Sequence, residues 1–134
     1  MTDHPPHPWR IRAMTHDDSE AVLALAQTLA AWFQPLDQMT LAIDVSHHDG
    51  LVVERGGEIV AFLTYFLWER DRAELSWLAV AQAVQGHGLG TQLLTTLEDA
   101  LHAQGVERLE LHTVPADHEP AFEATNAFYR RHGF

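Results

Sequence analysis

A glycine-rich segment follows an apolar run and opens an amphipathic stretch, and its residue types suit the binding of an anion. The apolar run is Trp77–Val80, and the glycine-rich segment is Gln85–Thr91, with glycines at 86, 88 and 90. The first turn of a helix leaves backbone N–H groups unpaired, and glycines let a ligand approach that backbone without a Cβ in the way. The order of strand, loop and helix therefore predicts a site for a phosphate-bearing ligand.

Two other kinds of phosphate loop do not fit this segment. A nucleoside-triphosphate loop ends in Gly-Lys-Ser/Thr, and the segment contains no lysine. A dinucleotide-binding fold requires Gly-x-Gly-x-x-Gly, and counting from Gly86 puts Thr91 at the last glycine position. Taken by itself, the loop also suits a plain turn between a strand and a helix.

The counts of cysteine and histidine bear on nucleophilic and metal chemistry. There is no cysteine, which excludes a thiol nucleophile, a Cys-ligated metal and a disulfide framework, and which suits a cytoplasmic protein. Ten histidines are present, but no His-x-x-x-His or His-Glu-x-x-His spacing occurs, and the adjacent His47 and His48 face different ways on a strand or helix. We therefore expect no metal site.

Length and charge narrow the class of partner. A chain of 134 residues forms one domain, and a net charge of −11 with eight scattered basic residues disfavours a nucleic-acid partner. The same charge would attract a cationic small molecule or a basic peptide. No apolar run is long enough to span a membrane, and Met1–Pro8 lacks the features of a signal peptide, so we expect no membrane partner.

The elements that must position the loop can be read from hydrophobic periodicity and turn residues. Residues 1–8 are predicted to be a flexible lead and residues 9–134 a single α/β domain with a mixed sheet, in the order β-α-(α)-β-β-β-α-β-α. Residues 36–48 are ambiguous and suit a short second helix carrying Leu41 and Ile43. The predicted strands are 9–14, 51–55, 58–67, 73–80 and 106–114, and a Gly56–Gly57 turn joins the second to the third. The first predicted helix starts near Thr15 and is limited by Pro35, and two later helices cover 88–104 and 120–132.

With these elements in place, the chain resembles the GCN5-related N-acetyltransferases (GNAT) over about residues 11–134. Gln85–Gly90 fits the family motif of Gln or Arg, two residues, Gly, one residue, and Gly or Ala, which opens the main helix. The closing Phe128–Phe134 is similar to the family's Phe-Tyr-x-x-x-Gly-Phe signature. The two motifs in this order make the resemblance much more specific than either alone.

The resemblance implies transfer of an acetyl group from acetyl-CoA to a primary amine of a small molecule or peptide. The helix opening would hold the CoA pyrophosphate, and the pantetheine arm would lie in a gap between two splayed parallel strands, 73–80 and 106–114. The oxyanion is expected on the Val80 N–H. The cofactor-binding residues implied are Leu78, Ala79, Val80, Gln85, Gly86, His87, Gly88, Leu89, Gly90, Thr91 and Asn126.

Two residues are candidates for proton transfer. The resemblance places Tyr129 beside the CoA sulfur, where a phenol could protonate the departing thiolate; packing on the cofactor is the simpler role. Glu74 matches the position of the base in the histone-acetylating branch; a salt-bridged strand glutamate is the simpler role. With no cysteine, direct attack of the amine on the thioester is the expected route.

Three further residues are candidates for acceptor binding. Trp32 and Phe33 end the first helix, where family members often build the acceptor wall, whereas Phe62 and Phe66 are expected in the core. His112 alternates with Glu110 on a predicted strand and could serve as a base, although a satisfied polar pair is the stronger expectation.

The sequence departs from the family pattern in two places. Many relatives carry Asn seven residues before the signature tyrosine, where this chain has Phe122, and Asn126 stands three residues before it. The family also continues past Gly-Phe with two further strands, so the fold is expected to lack its usual last two strands or to gain them from a partner, which favours a homodimer. A non-catalytic acyl-CoA-binding regulatory module on the same fold is the alternative function; acetylation of aminoacyl-tRNA is disfavoured by the acidic charge.

Overall fold

The computed structural model describes residues 9–29 and 35–111. The strands are β1 (Arg10–Ala13), β2 (Asp49–Arg55), β3 (Glu58–Glu69), β4 (Arg72–Val80) and β5 (Arg108–Leu111), and the helices are α1 (Ser19–Gln27), α2 (Pro35–His47) and α3 (Leu89–Ala103). Single 3₁₀ turns, His16–Asp18 and Gln82–Val84, precede α1 and α3. In these parts of the chain no helix is long and apolar enough to cross a membrane.

The five strands form one mixed sheet in the order β1-β2-β3-β4-β5. The first three pairings are antiparallel, and β4 pairs with β5 in parallel, with α3 as the connection between them. This confirms the predicted mixed α/β class. The Gly56–Gly57 hairpin is also confirmed: both glycines have positive φ, 60° and 84°, as a two-residue turn that matches the twist of its strands requires.

The sheet separates two apolar clusters, because alternate residues of each strand face opposite sides. Phe62 and Val52 point towards α1 and α2, and Leu63 and Val53 towards α3; all four are fully buried. The α3 side is completed by the buried leucines of that helix, Leu89, Leu93, Leu94, Leu97 and Leu101. Burial on both faces explains why β3 reads as a nearly continuous apolar run in the sequence.

Several predicted boundaries differ from the structure by a few residues, and three details bear on the packing of the sheet. Helix α1 ends at Gln27, and Pro35 begins α2, a position that suits proline because the first N–H of a helix has no partner within the helix. The ambiguous second helix is present and carries both Leu41 and Ile43. Leu41 is buried, whereas Ile43 is 61% exposed because it lies on the outer face of α2. Strand β5 begins at Arg108 rather than 106.

The start of α1 is tied to β1 by a partly buried ion pair. The Arg12 guanidinium donates to both carboxylate oxygens of Asp18, at 2.8 and 2.9 Å, and the Thr15 backbone N–H donates to the same carboxylate at 2.7 Å. Asp18 is only 7% exposed. The hydrogen bonds from Arg12, opposed in part by burial, lower the pKa of Asp18 to about 2 from an ordinary 3.8.

This pKa shift predicts an acid-sensitive contribution to stability. Because the folded-state pKa lies below the unfolded value, the contribution of Asp18 is complete above about pH 5 and is lost as the pH falls towards 2. We expect Asp18→Asn to lower the free energy of unfolding by about 2 kcal/mol at pH 7 and to flatten its dependence on pH below 4, measured by urea denaturation. Asp17→Asn, which changes an exposed neighbour, is the control; an equal loss in the two variants would contradict the assignment.

Candidate functional site

The loop between β4 and α3 has the geometry of an anion site. Gly86 and Gly88 adopt φ angles of 85° and 77°, and Gly88 is the N-cap of α3, with its carbonyl accepting the first helical hydrogen bond from the Gln92 N–H at 3.0 Å. A Cβ added at either glycine would meet no atom within 4 Å, so the backbone conformation, rather than crowding, demands glycine. Within residues 9–29 and 35–111, no backbone carbonyl accepts from the N–H of Gly86, His87 or Gly88.

Hydrogen bonds hold this loop to the end of β4. The Gln85 side chain donates to the Val80 carbonyl at 3.0 Å, and the Ala81 N–H donates to the Val60 carbonyl on β3 at 2.8 Å. Because successive N–H groups along a strand point to opposite edges, the Val80 N–H is directed away from β3 and towards the side of β5. This direction is the one that the predicted oxyanion role of the Val80 N–H requires, and the role itself stays a prediction.

A positively charged group lies close to the loop despite the acidic composition. The Arg55 guanidinium lies 4.6 Å from the centroid of the Trp9 ring, and the His87 ring lies 6.1 Å from the same ring system. Arg55 comes from the β2–β3 hairpin, whose turn lies at the same end of the sheet as the loop, since Val60 and Ala81 are hydrogen-bonded. Among the described residues, this end of the sheet therefore combines N–H groups that have no backbone acceptor with a cation, which suits a phosphate-bearing ligand.

The predicted cofactor residues of β4 divide between the two faces of the sheet. Ala79 packs into the cluster under α1 and α2, whereas Leu78 and Val80 pack into the cluster under α3. In the loop and first helical turn, Leu89 is buried and anchors α3, Gly90 is half-buried, and His87 and Thr91 are exposed. The loop residues are thus together at one end of the sheet.

The prediction of a gap between the two parallel strands, β4 and β5, is wrong for the first part of β4. Residues Arg72–Leu75 of β4 pair in register with Arg108–Leu111 of β5. Over this stretch the strands are joined rather than splayed, so any gap for a pantetheine arm starts beyond Leu75 and Leu111. The Arg72 guanidinium also donates to Glu110 on β5 at 2.8 Å, a contact between the two strands that raises the pKa of Arg72.

A cavity of about 320 Å³ opens beside β4 on the side of α2. Glu74, the candidate base, is one of its lining residues and is half-buried. Phe66, which was expected in the core, is the register partner of Glu74 on the neighbouring strand β3 and lines the same cavity. The full lining is Asp44, His48, Phe66, Glu74, Leu75, Ser76 and Trp77.

A β-bulge gathers these side chains. The β3–β4 pairing runs Thr64 with Trp77 and Tyr65 with Leu75, so Ser76 is an extra residue on β4. After the bulge, Trp77 packs on the same side of the sheet as α1 and α2, where an unbroken strand would have turned it towards α3. Glu74, Ser76 and Trp77 consequently share one cavity.

Hydrogen bonds fix the cavity wall. Trp77 Nε1 donates to Asp44 Oδ2 at 2.7 Å, and Asp44 Oδ1 lies 3.7 Å from His48 Nε2. His48 Nδ1 is 2.9 Å from Ser76 Oγ, which is 2.8 Å from Thr64 Oγ1. The His48 ring also packs against Phe66, with the centroids 4.5 Å apart.

Sequence reasoning missed this constellation. Asp44 and His48 are four residues apart on α2, a spacing that places two side chains on one helix face, but the helix itself was ambiguous. Ser76 gives no signal at all, since its position depends on a bulge. Among the described residues no group of three or more His, Asp or Glu side chains is arranged to hold a metal ion.

Five predicted site residues lie outside the described residues: the candidate acid Tyr129, the cofactor residue Asn126 and the acceptor residues Trp32, Phe33 and His112. Their roles remain predictions. Glu110, which alternates with His112 in the sequence, is engaged by Arg72, as expected for a satisfied strand carboxylate.

Comparison with known proteins identifies the family. A sequence model of the Acetyltransferase (GNAT) family matches residues 10–134. S-alkylcysteine N-acetyltransferase of Bacillus subtilis (strain 168) is 26% identical over 106 residues, which cover 66% of this chain and 58% of that protein. The chain thus spans less than two thirds of the length of this curated relative.

Solved structures show the same fold. A GNAT-family protein from Desulfovibrio desulfuricans superposes with a TM-score of 0.82 at 19% identity, covering 95% of this chain and 85% of that one. Aminoglycoside N-acetyltransferase AAC(6')-Iy in complex with CoA superposes with a TM-score of 0.74 at 14% identity, and the match covers 100% of this chain and 91% of that one. With the matched sequence model and the strand–loop–helix site, these comparisons show that the chain belongs to the Acetyltransferase (GNAT) family.

Proposed function

We propose that this protein transfers the acetyl group of acetyl-CoA to a primary amine by direct attack. The observation that carries the proposal is that one strand, β4, joins two kinds of site. Its carboxyl end runs into a loop with Gly86 and Gly88 at positive φ, whose N–H groups have no backbone acceptor among the described residues, and its amino-terminal half presents Glu74 to a cavity. A transferase needs both an anion site for its acyl carrier and a pocket with a base for its acceptor.

The loop fits the pyrophosphate of CoA on its own geometry. No atom of the described residues lies within 4 Å of a Cβ placed at Gly86 or Gly88, the first turn of α3 carries the positive end of the helix dipole, and Arg55 adds a cation nearby. The residues that would hold the cofactor are the predicted set of the loop and the end of β4, with Asn126 as a further contact. Acetyl-CoA supplies the activated acyl group, and no metal is required for direct transfer.

The cavity favours a small, protonated amine as acceptor, or the amine of a peptide terminus. Glu74 and Asp44 provide negative charge, while Phe66, Leu75 and Trp77 provide apolar wall. The relative from Bacillus subtilis is named for an amino acid with an alkylated sulfur, an acceptor of this general kind. We therefore propose that the acceptor of this chain is also a primary amine with an apolar neighbouring group.

Three groups of this chain perform the chemistry in the proposed mechanism. Glu74 accepts a proton from the bound ammonium, so that the nitrogen lone pair becomes available for attack. The Val80 N–H donates to the carbonyl oxygen as negative charge develops on it. Tyr129 donates its phenolic proton to the departing sulfur.

Binding and turnover measured on one preparation test the proposal. Acetyl-CoA is titrated by calorimetry, and thiol release is then followed over a panel of primary amines that includes S-methylcysteine, an aminoglycoside and a basic peptide. Binding with amine-dependent thiol release is the expected result. Binding without release on any amine would favour the acyl-CoA-binding regulatory module, and a folded protein that does not bind acetyl-CoA would overturn both.

The role of Tyr129 is tested by its conservative replacement. We expect Tyr129→Phe to lower kcat about 100-fold, the low end of general-acid effects, with the dissociation constant of acetyl-CoA unchanged within a factor of about 2. Tyr65→Phe, at a half-buried tyrosine of β3 that does not line the cavity, serves as control. An unaltered kcat in Tyr129→Phe would reduce the residue to a packing role.

A further inference from the structure

A chain of hydrogen-bonding groups runs from the interior of the sheet to the cavity, and the mechanism above does not use it. Its inner end is Thr64, a polar residue of β3 with no exposed surface. Thr64 Oγ1 contacts Ser76 Oγ, Ser76 Oγ contacts His48 Nδ1, and His48 Nε2 faces Asp44. Ser76, His48 and Asp44 all line the cavity that Glu74 enters.

The carboxylate at its outer end favours one direction for these hydrogen bonds. A carboxylate only accepts, so Asp44 favours the imidazole tautomer with the proton on Nε2, which leaves Nδ1 as an acceptor. Ser76 then donates to Nδ1, and Thr64 donates to Ser76. Ser76 Oγ keeps a second lone pair, which can accept a proton from a group bound in the cavity.

The imidazole is held in place before any ligand arrives. Asp44 is itself anchored by the Trp77 N–H at 2.7 Å, and the Phe66 ring packs on the His48 ring. Among the described residues, the titratable groups that line the cavity with His48 are Asp44 from its own helix and Glu74 from β4. Phe66 and Thr64, which β3 contributes to this network, do not titrate, and the adjacent Asp49 is exposed. Such preorganisation is typical of a group that acts in proton transfer.

The proposed reaction has a use for a second proton acceptor. A primary ammonium must lose two protons on its way to an amide, one before attack and one after the C–N bond has formed. Glu74 can hold only one of them at a time, so a second acceptor removes the need for Glu74 to lose its proton between the two steps. Ser76 lies two residues nearer to Val80 than Glu74 does, about 6 to 7 Å along a strand, and so nearer to the bond being formed.

We propose that Ser76 and His48, supported by Asp44, form a relay that removes the second proton. This inference rests on the proposed function. Once the nitrogen is bonded to the acetyl carbon, its N–H bond breaks as an O–H bond forms on Ser76, and the original hydroxyl proton of Ser76 moves to His48 Nδ1. Asp44 stabilises the resulting imidazolium. One of the two protons lost by the amine balances the one that the sulfur gains from Tyr129, and the other passes to solvent.

The test compares pH profiles of kcat for His48→Gln, Ser76→Ala and the double variant. We expect kcat to fall about tenfold in each single variant, which is below the usual range of general-base effects because water in the cavity can partly replace the relay. The double variant should lose no more than either single variant, since both residues act in one path. The loss persists at alkaline pH, where the acceptor amine is already neutral. A loss that disappears there would show that the pair removes the first proton instead, and additive losses would contradict a relay.

A control variant and a second measurement separate this inference from the proposed function. His47→Gln changes an exposed histidine on the same helix and should leave kcat unchanged. Nitrogen NMR of the His48 ring in the protein without ligand should show the proton on Nε2, and Ser76→Ala should shift the Nδ1 resonance. Absence of turnover in the unmodified protein would overturn the proposed function, whereas a proton on Nδ1 would overturn the relay even in an active enzyme.

Discussion

Replacement of Glu74 by Gln should lower kcat about 100- to 1,000-fold at neutral pH, within the range of general-base effects. Gln keeps the shape of the side chain and its capacity for hydrogen bonds, so it removes the proton acceptor without emptying the cavity wall. The deficit should shrink as the pH rises through the pKa of the acceptor amine, because the amine then arrives neutral. The measurement is thiol release from acetyl-CoA against pH, with a saturating amine.

Glu110→Gln is the matched control for this prediction. Glu110 is the register partner of Glu74 on the neighbouring strand and is engaged by Arg72, so its replacement removes the same charge from the same region without touching the cavity wall. Equal losses in the two variants would assign the effect to the local field rather than to proton transfer. Full activity in Glu74→Gln would exclude Glu74 as the base.

Replacement of Gly88 by Val should weaken acetyl-CoA binding about 100-fold, equivalent to about 2.7 kcal/mol. A β-branched residue strongly disfavours the φ of 77° that Gly88 adopts, so the loop must change its conformation and redirect its N–H groups. Each hydrogen bond from such a group to a charged phosphate contributes about 1.5–3 kcal/mol, so the loss of one suffices. The measurement is calorimetric titration with acetyl-CoA.

Gly105→Val separates backbone strain from lost binding. Gly105 follows the other end of α3, has a φ of 85°, and also faces open space, so its replacement carries a similar conformational cost. We expect both variants to lose thermal stability and only Gly88→Val to lose affinity. Similar affinities in the two variants would contradict a binding role for the loop.

The features that were predictable from sequence are those specified by local residue types. The Gly56–Gly57 turn, the α3 amphipathic pattern and the glycine-rich loop each follow from backbone requirements or periodicity within a few residues. The family resemblance then supplied a hypothesis that a local pattern cannot give, namely that the loop and Glu74 serve one reaction. The family assignment is confirmed by the match over residues 10–134.

The features that were not predictable depend on contacts between distant elements. The bulge at Ser76 is set by the pairing of β3 with β4, and it alone decides that Trp77 faces Asp44. Helix α2 was ambiguous because its apolar face is narrow: Leu41 and Val45 are buried while Ile43 and Met39 are exposed. Without that helix, Asp44 and His48 could not be placed opposite β4.

The most direct test of the account is mass-spectrometric detection of an acetylated amine formed from acetyl-CoA, with free CoA quantified in the same reaction. The account predicts that acetylated amine and free CoA appear in equal amounts with the unmodified protein, and that both fall together in Glu74→Gln. Release of CoA without an acetylated amine, or binding of acetyl-CoA with neither product on any amine of the panel, would contradict it.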